Sequence, residues 1–188
     1  MLEIVEYRAS WPQEFRELAT VMRRGLGALA LRIDHIGSTS VPGLAAKDRI
    51  DIQISVAALD QQVVDAMLRL GYTQSPRNLS DHTPPGFSGP PEEWQKLYFR
   101  PPPGQRETNT HMRVLGRANQ RYALLFRDYL RAHPATAQAY AELKRRLARE
   151  LAGPETYPDV KDPAVDLIYF AAEDWAAATG WQPGHSDM

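Results

Sequence analysis

Asp51 and Gln53 stand two residues apart in a run, Ile50 to Val56, where isoleucine and valine alternate with polar side chains. A period of two predicts a strand over 49–56, one face apolar and the other polar, so Asp51 and Gln53 point the same way. A carboxylate there can hold a divalent ion against phosphate oxygens, and the neighbouring amide can orient a water or a phosphate oxygen. Two more runs share this pattern. Asn109, His111 and Arg113 alternate with Met112 and Val114, and Lys96, Tyr98 and Arg100 alternate with Leu97 and Phe99. Upstream, Gly37-Ser38-Thr39-Ser40 is a small polar turn after a strand, which suits a phosphate through backbone N–H groups and hydroxyls. Lys96, Arg100, His111 and Arg113 on one sheet face beside that turn would make a cationic pocket. Such faces are also commonly just solvated.

The elements that must position these groups follow from the same patterning. Ser10, Pro12 and Gln13 predict a capping box opening a helix that runs to about Gly25–Gly27. Leu31 to Ile36 reads as a strand, and Leu44 to Lys47 as a short helical turn. A helix is expected from about Leu59 to Leu70, stopped by Gly71. Eight of the fifteen prolines fall between Pro76 and Pro103, predicting a mobile functional loop that carries Arg77, Asp81 and His82. Pro101 to Gly104 is expected to join the strands at 94–100 and 109–114 as a hairpin. Beyond it, Tyr122, Leu125, Phe126, Tyr129 and Leu130 form one helical stripe. Ala137, Tyr140, Ala141, Leu147, Ala148 and Leu151 form a second, bounded by Pro134 and Gly153-Pro154. Asp162-Pro163 reads as the start of a third helix ending near Gly180. The fold class is therefore α+β, a mixed sheet followed by a helical C-terminal third: one domain over 1–188, sheet-rich to about 116 and helical over about 117–181.

Composition removes several alternatives. Over 188 residues, 22 Lys+Arg against 23 Asp+Glu leave a net charge of −1, so no global basic excess draws in nucleic acid. The absence of cysteine excludes disulfides, thiolate nucleophiles and Cys-bound metals. No apolar stretch approaches the roughly 18 residues needed to span a bilayer, and the first ten residues lack a signal-peptide pattern, which predicts a cytoplasmic protein that meets no membrane. His35, His82 and His111 lack the i, i+4 spacing of a helical metal motif. Ser38 lacks the second glycine of a hydrolase elbow. Lys144, Arg145, Arg146 and Arg149 read as a solvated basic face, and Lys161 as a solvated lysine.

The run His35-Ile36-Gly37-Ser38-Thr39-Ser40-Val41-Pro42-Gly43-Leu44-Ala45-Ala46-Lys47, followed by Ile50-Asp51-Ile52, resembles the signature of the GrpB family. The likeness extends through Asn109 to Val114 and Leu124 to Arg131, and to Tyr140 with Lys144 and Tyr157 with Lys161. It is also similar to the C-terminal extension of some bacterial dephospho-CoA kinases; with no P-loop here, kinase activity does not carry over. What the resemblance implies is a polymerase-β-type nucleotidyltransferase sheet core. In that superfamily two divalent ions, held by two or three carboxylates, serve nucleotidyl transfer. Here Gln53 stands at the second acidic position, with Asp34, Asp48, Asp81 and Glu107 as possible substitutes. The expectation is a nucleotidyltransferase-like protein binding a nucleotide or other phosphate-bearing small molecule. Asp51 is its catalytic carboxylate and ligand to Mg²⁺ or Mn²⁺. The binding shell is His35, Gly37, Ser38, Thr39, Ser40, Lys47, Gln53, Lys96, Arg100, Asn109, His111 and Arg113. The alternative is a non-catalytic accessory domain with a vestigial pocket.

Overall fold

The computed structural model describes residues 3–150 and 157–188. Its sheet is built from β1 (Arg32–Ile36), β2 (Ile50–Val56), β3 (Thr73–Gln74), β4 (Leu97–Arg100) and β5 (Thr108–Val114), in the order β1-β2-β5-β4-β3. β2 and β5 pair in parallel at its centre, and the other pairs are antiparallel, which makes the sheet mixed. The helices are α1 (Trp11–Leu26), α2 (Gln61–Arg69), α3 (Ala118–Ala132), α4 (Pro134–Glu150) and α5 (Tyr157–Thr179). The α+β class expected from the sequence is the one found. Among the described residues no helix is long and apolar enough to cross a membrane.

Alternation along β2 decides which layer covers each face. Ile50, Ile52, Ile54 and Val56 point into a core with Trp11, Phe15, Ala19 and Met22 of α1 and Val63 and Met67 of α2. Asp51, Gln53 and Ser55 point to the opposite face, yet Gln53 and Ser55 are fully buried there. That face is not solvated, because α3 packs over β1 and β5. A second core of Val41, Leu44, Leu125, Leu130, Tyr140, Ala141, Val165 and Ala172 holds the helical third together. The register sets Asp51 between Ile36 and Asn109, and Gln53 between Asp34 and His111.

Four expectations about elements change. Ser10 is itself in helical conformation and its hydroxyl donates to the Glu14 carboxylate, so no capping box forms; the chain is already turning at Arg8. The turn near Leu44 is instead a short 3-10 turn at Ser38–Ser40, while Ala46 is held extended by a bridge to Val5. The proline-rich segment is fastened down: Asp81 N–H donates to Trp94 O, Lys96 N–H donates to Leu79 O, and the Trp94 ring is buried. Finally α5, given as Tyr157–Thr179, is already helical ahead of Asp162 and holds Pro163 inside, where its missing N–H removes one backbone bond. Leu151 and Gly153-Pro154 lie outside the described residues.

Candidate functional site

Gly37 is the pivot of the site. Its φ of 69° is left-handed, and a Cβ there would collide with the Asp51 carboxylate, so only glycine lets this turn lie against β2. Across the sheet Asn109 Nδ2 donates to Asp51 Oδ1 at 2.6 Å, and the Tyr98 hydroxyl donates to Asn109 Oδ1 at 2.6 Å. Asp51 therefore sits in a fixed position at the floor of two adjoining clefts.

The first cleft, of ≈ 200 Å³, is lined by Ser38, Lys47, Arg49, Asp51, Lys144 and Lys161 among others. Four basic side chains thus line it with one carboxylate, and two of the four have carboxylate partners outside that lining, Glu107 for Arg49 and Asp162 for Lys161. Lys144 Nζ donates to Ser38 Oγ at 2.9 Å and to Ala45 O at 2.5 Å, and lies over the Tyr140 ring. Lys47 Nζ stands 4.2 Å from the Tyr157 ring centroid. Burial, and then the charge of Lys161, push the Lys144 ammonium down to about 7. Lys47 and Lys161 are lowered too, each chiefly by burial. Burial raises the Asp51 carboxyl, against the pull of Asn109 and the surrounding cations. Crowded, partly dehydrated cations beside one fixed carboxylate form a site whose electrostatics an arriving anion improves.

The second cleft, of ≈ 250 Å³, shares Asp51 and Lys161 with the first and adds Trp94, His111, Asn119, Tyr122 and Phe126. Beside it lies a closed ion cluster. Asp81 accepts from Arg113 at 2.8 and 2.9 Å and from Lys96 at 2.5 Å, and these partners hold its carboxyl far below the usual range despite burial. Arg113 also donates to Gln53 Oε1 at 2.6 Å, while Gln53 Nε2 donates to Gln120 O at 3.1 Å.

These contacts correct several expectations. Lys96 and Arg113 are spent on Asp81, so they do not make the cationic pocket; Lys47, Arg49, Lys144 and Lys161 do. Gln53 is fully buried with both amide atoms engaged, so it orients no water or phosphate. Arg100 is exposed and lines neither cleft. His35 lies on the opposite sheet face, its ring 4.7 Å from Phe15 and its Nε2 3.0 Å from Thr39 Oγ1; burial and then Arg131 and Arg127 push it down to about 3, so it is neutral. Thr39 is buried and Ser40 Oγ donates to Gly37 O, which leaves Ser38 as the turn's hydroxyl in the cleft. His111 does line the second cleft, neutral because burial and the charges of Arg113 and Lys96 keep its pKa low.

The residues do not fit a two-ion centre. Among the described residues no three His, Asp or Glu side chains converge as a metal site. The second acidic position is Gln53, already consumed. Of the proposed substitutes, Asp34 pairs with Arg32, Asp48 with Arg8 and Arg106, Glu107 with Arg49, and Asp81 with Arg113 and Lys96. No chemical step is therefore assigned to metal ions.

Sequence reasoning missed Lys144, and a signal was present. It falls seven residues after Ala137 and four after Tyr140, on the apolar stripe of α4, where a lysine must be buried. It is 3% exposed, whereas its neighbour Arg146 is exposed and paired with Glu142.

Residues 1–170 match the family model described as GrpB protein. A solved structure, the conserved protein GrpB from Enterococcus faecalis, superposes with a TM-score of 0.73 at 31% identity, over 92% of this chain and 99% of that one. Cid1, solved in complex with its short product ApU, superposes with a TM-score of 0.50 at 13% identity, over 74% of this chain and 42% of that one, a likeness of fold alone. The sheet core thus shares its fold with both of these structures. The dephospho-CoA kinase of Mycolicibacterium paratuberculosis is 36% identical over 92% of this chain, and the chain spans 46% of that kinase's length. The UPF0157 protein BH1888 of Halalkalibacterium halodurans is 34% identical, over 89% of this chain and 80% of that protein. With the family model covering most of its length, the chain belongs to the GrpB family.

Proposed function

We propose that this protein binds a nucleotide or nucleotide-like phosphate ester, its phosphates seated between Lys47, Arg49, Lys144, Lys161 and the Ser38 hydroxyl. The observation that carries this reading is the lining of the first cleft, where Lys47, Arg49, Lys144 and Lys161 meet the single lining carboxylate of Asp51, with Glu107 pairing Arg49 and Asp162 pairing Lys161 outside that lining. Partly buried lysines, compact and hydrated when free, gain most from a multivalent oxyanion. One carboxylate without a second acid supports binding rather than two-ion nucleotidyl transfer. Dephospho-CoA belongs among the ligands to try, because relatives of twice this length carry the name dephospho-CoA kinase.

The test is calorimetric titration of inorganic pyrophosphate into the wild type, Lys144→Met and Lys161→Met. Micromolar to millimolar binding that weakens at least about tenfold in each variant, with a steep salt dependence, is the expected outcome. Equal affinity in all three proteins would refute it. A second reading, an accessory domain that docks a partner, draws on the exposed Leu167 (72%) and Phe170 (41%) of α5. It gains if pyrophosphate, nucleotides and dephospho-CoA all fail to bind.

A further inference from the structure

We infer that Ser38 and Lys144 are a nucleophile and base that hydrolyse mixed anhydrides of a carboxylic acid with a phosphate or phosphate ester, through an acyl-Ser38 intermediate. This rests on the phosphate reading of the first cleft and goes beyond it, because it says what is done there to the molecule whose phosphate is seated.

Three hydroxyls follow Gly37, and two have partners within the turn and its strand. Thr39 Oγ1 lies 3.0 Å from His35 Nε2, and Ser40 Oγ donates to Gly37 O at 2.6 Å. The third, on Ser38, lines the cleft with its Oγ 2.9 Å from Lys144 Nζ. A serine becomes a nucleophile when an adjacent base takes its proton, and a lysine is that base when its amine is neutral. The base comes from α4, 106 positions along the chain, so no local motif around Ser38 announces it.

The surroundings of Lys144 favour the neutral amine. It is 3% exposed, lies over the Tyr140 ring and shares the cleft with Lys47 and Lys161. Arg145 on its own helix adds positive charge, and Asp51 opposes it, with Asp162 beside Lys161. Burial and Lys161 prevail, and the ammonium gives up its proton near 7. The neutral amine keeps an N–H for Ala45 O, 2.5 Å away, and has a lone pair for the Ser38 hydroxyl. Lys47, Arg49 and Lys161 then hold the phosphate while Lys144 carries no charge.

In a mixed anhydride the carbonyl carbon is one oxygen from phosphorus, so seating the phosphate in this cleft brings that carbon to Ser38. Lys144 takes the hydroxyl proton as Oγ bonds to the carbonyl carbon. The bond from that carbon to the bridging oxygen breaks, and the phosphate departs with the proton that Lys144 releases. The remaining cations neutralise the charge growing on it. Water then adds to the acyl carbon and passes a proton through Lys144 to Ser38 Oγ as the ester bond breaks. One anhydride and one water yield one carboxylic acid and one phosphate. Attack at phosphorus instead draws on metal ions clamping the transferred group, and the residues here do not fit a two-ion centre.

The test uses the whole protein and acetyl phosphate, with phosphate release as the rate and acid-quenched mass spectrometry to locate the acetyl group. The acetyl group should be found on Ser38. The rate at saturation should rise about fivefold or more from pH 6 to pH 8, as Lys144 loses its proton. Ser38→Ala and Lys144→Arg, the latter keeping the charge without a base, should each lose about a hundredfold or more in rate, with far-ultraviolet dichroism confirming that they fold. Label on lysine alone, a phosphoryl group on Ser38, or an undiminished rate in Ser38→Ala overturns the inference. If pyrophosphate binds but acetyl phosphate is hydrolysed no faster than in buffer, the pair is overturned while the phosphate reading stands. If acetyl phosphate is hydrolysed through Ser38 but pyrophosphate does not bind, the pair stands and the phosphate reading falls. If neither binding nor hydrolysis is seen, both are overturned.

Discussion

Lys144 concentrates the chemistry of the site in one ammonium group. Its pKa of about 7 lies below the ordinary lysine value because folding buries it beside Lys161. The unfolded chain therefore holds this proton up to the ordinary lysine range, while the folded chain gives it up near 7. Between those limits the unfolded state binds more protons, so stability should rise with pH, by at most about 1.4 kcal/mol per pH unit for one proton. Urea unfolding of the wild type and Lys144→Met at pH 7 and 9 checks this, the slope being smaller in the variant, where only Lys47 and Lys161 remain lowered in the cleft. Anion binding has the opposite sign, since the anion needs the protonated form. Sulfate, whose charge is constant over this range, should bind the wild type several-fold more weakly at pH 8.5 than at pH 6, with little change in Lys144→Met. A second residue-scale prediction concerns Asp81, whose carboxylate neutralises Arg113 and Lys96 in a largely buried cluster. Asp81→Asn strands two cations there and should cost about 3–5 kcal/mol in urea unfolding. At this scale the sequence identified Asp51, Asn109 and His111 as sharing a face. It assigned the positive charge to the wrong residues, because alternation tells which side chains share a face but not which partner arrives from a distant loop to neutralise them.

At the scale of elements, the turn after β1 governs the site. Gly37 combines a left-handed φ with contact against Asp51, so Gly37→Ala must strain the backbone and push the carboxylate aside. It should lower stability by about 2 kcal/mol or more and weaken pyrophosphate binding along with it, read by the same urea and calorimetric measurements. β2 was legible because its alternation is uninterrupted, and the β4–β5 hairpin because two alternating runs flank Pro101 to Gly104. Less legible was where α5 starts. Asp162-Pro163 has the residues of a helix opening, but Tyr157 is buried at the first cleft, and the helix extends back to place it and Lys161 there. Packing outweighed a local start signal. The proline-rich segment shows the same limit: its composition predicts a loop, but only the tertiary structure brings Asp81 to Arg113 and Trp94 to Tyr122.

For the molecule as a whole, the sheet and the helical third are joined by polar ties running through the site. Lys144 of α4 donates to Ser38, Arg131 of α3 to Ser40 O, and Arg127 of α3 to both His35 O and Asp187. We propose that residues 1–188 unfold as one cooperative unit. Tryptophan fluorescence and far-ultraviolet dichroism should then report the same urea midpoint, and two separated transitions would divide the chain near residue 117. Family membership was legible in the run from His35 to Lys47; the site's ligand was not, since the cations that define the first cleft come from three separate stretches of chain. The central claim is that those cations, rather than a metal ion, hold the ligand's phosphates. Calorimetric titration of pyrophosphate into the wild type and Asp51→Asn, each with and without Mg²⁺, tests it most directly. Binding should need no Mg²⁺ and should tighten in Asp51→Asn, where one negative charge beside the phosphates is gone. Binding that requires Mg²⁺ and disappears in Asp51→Asn, or no binding at all, would contradict it.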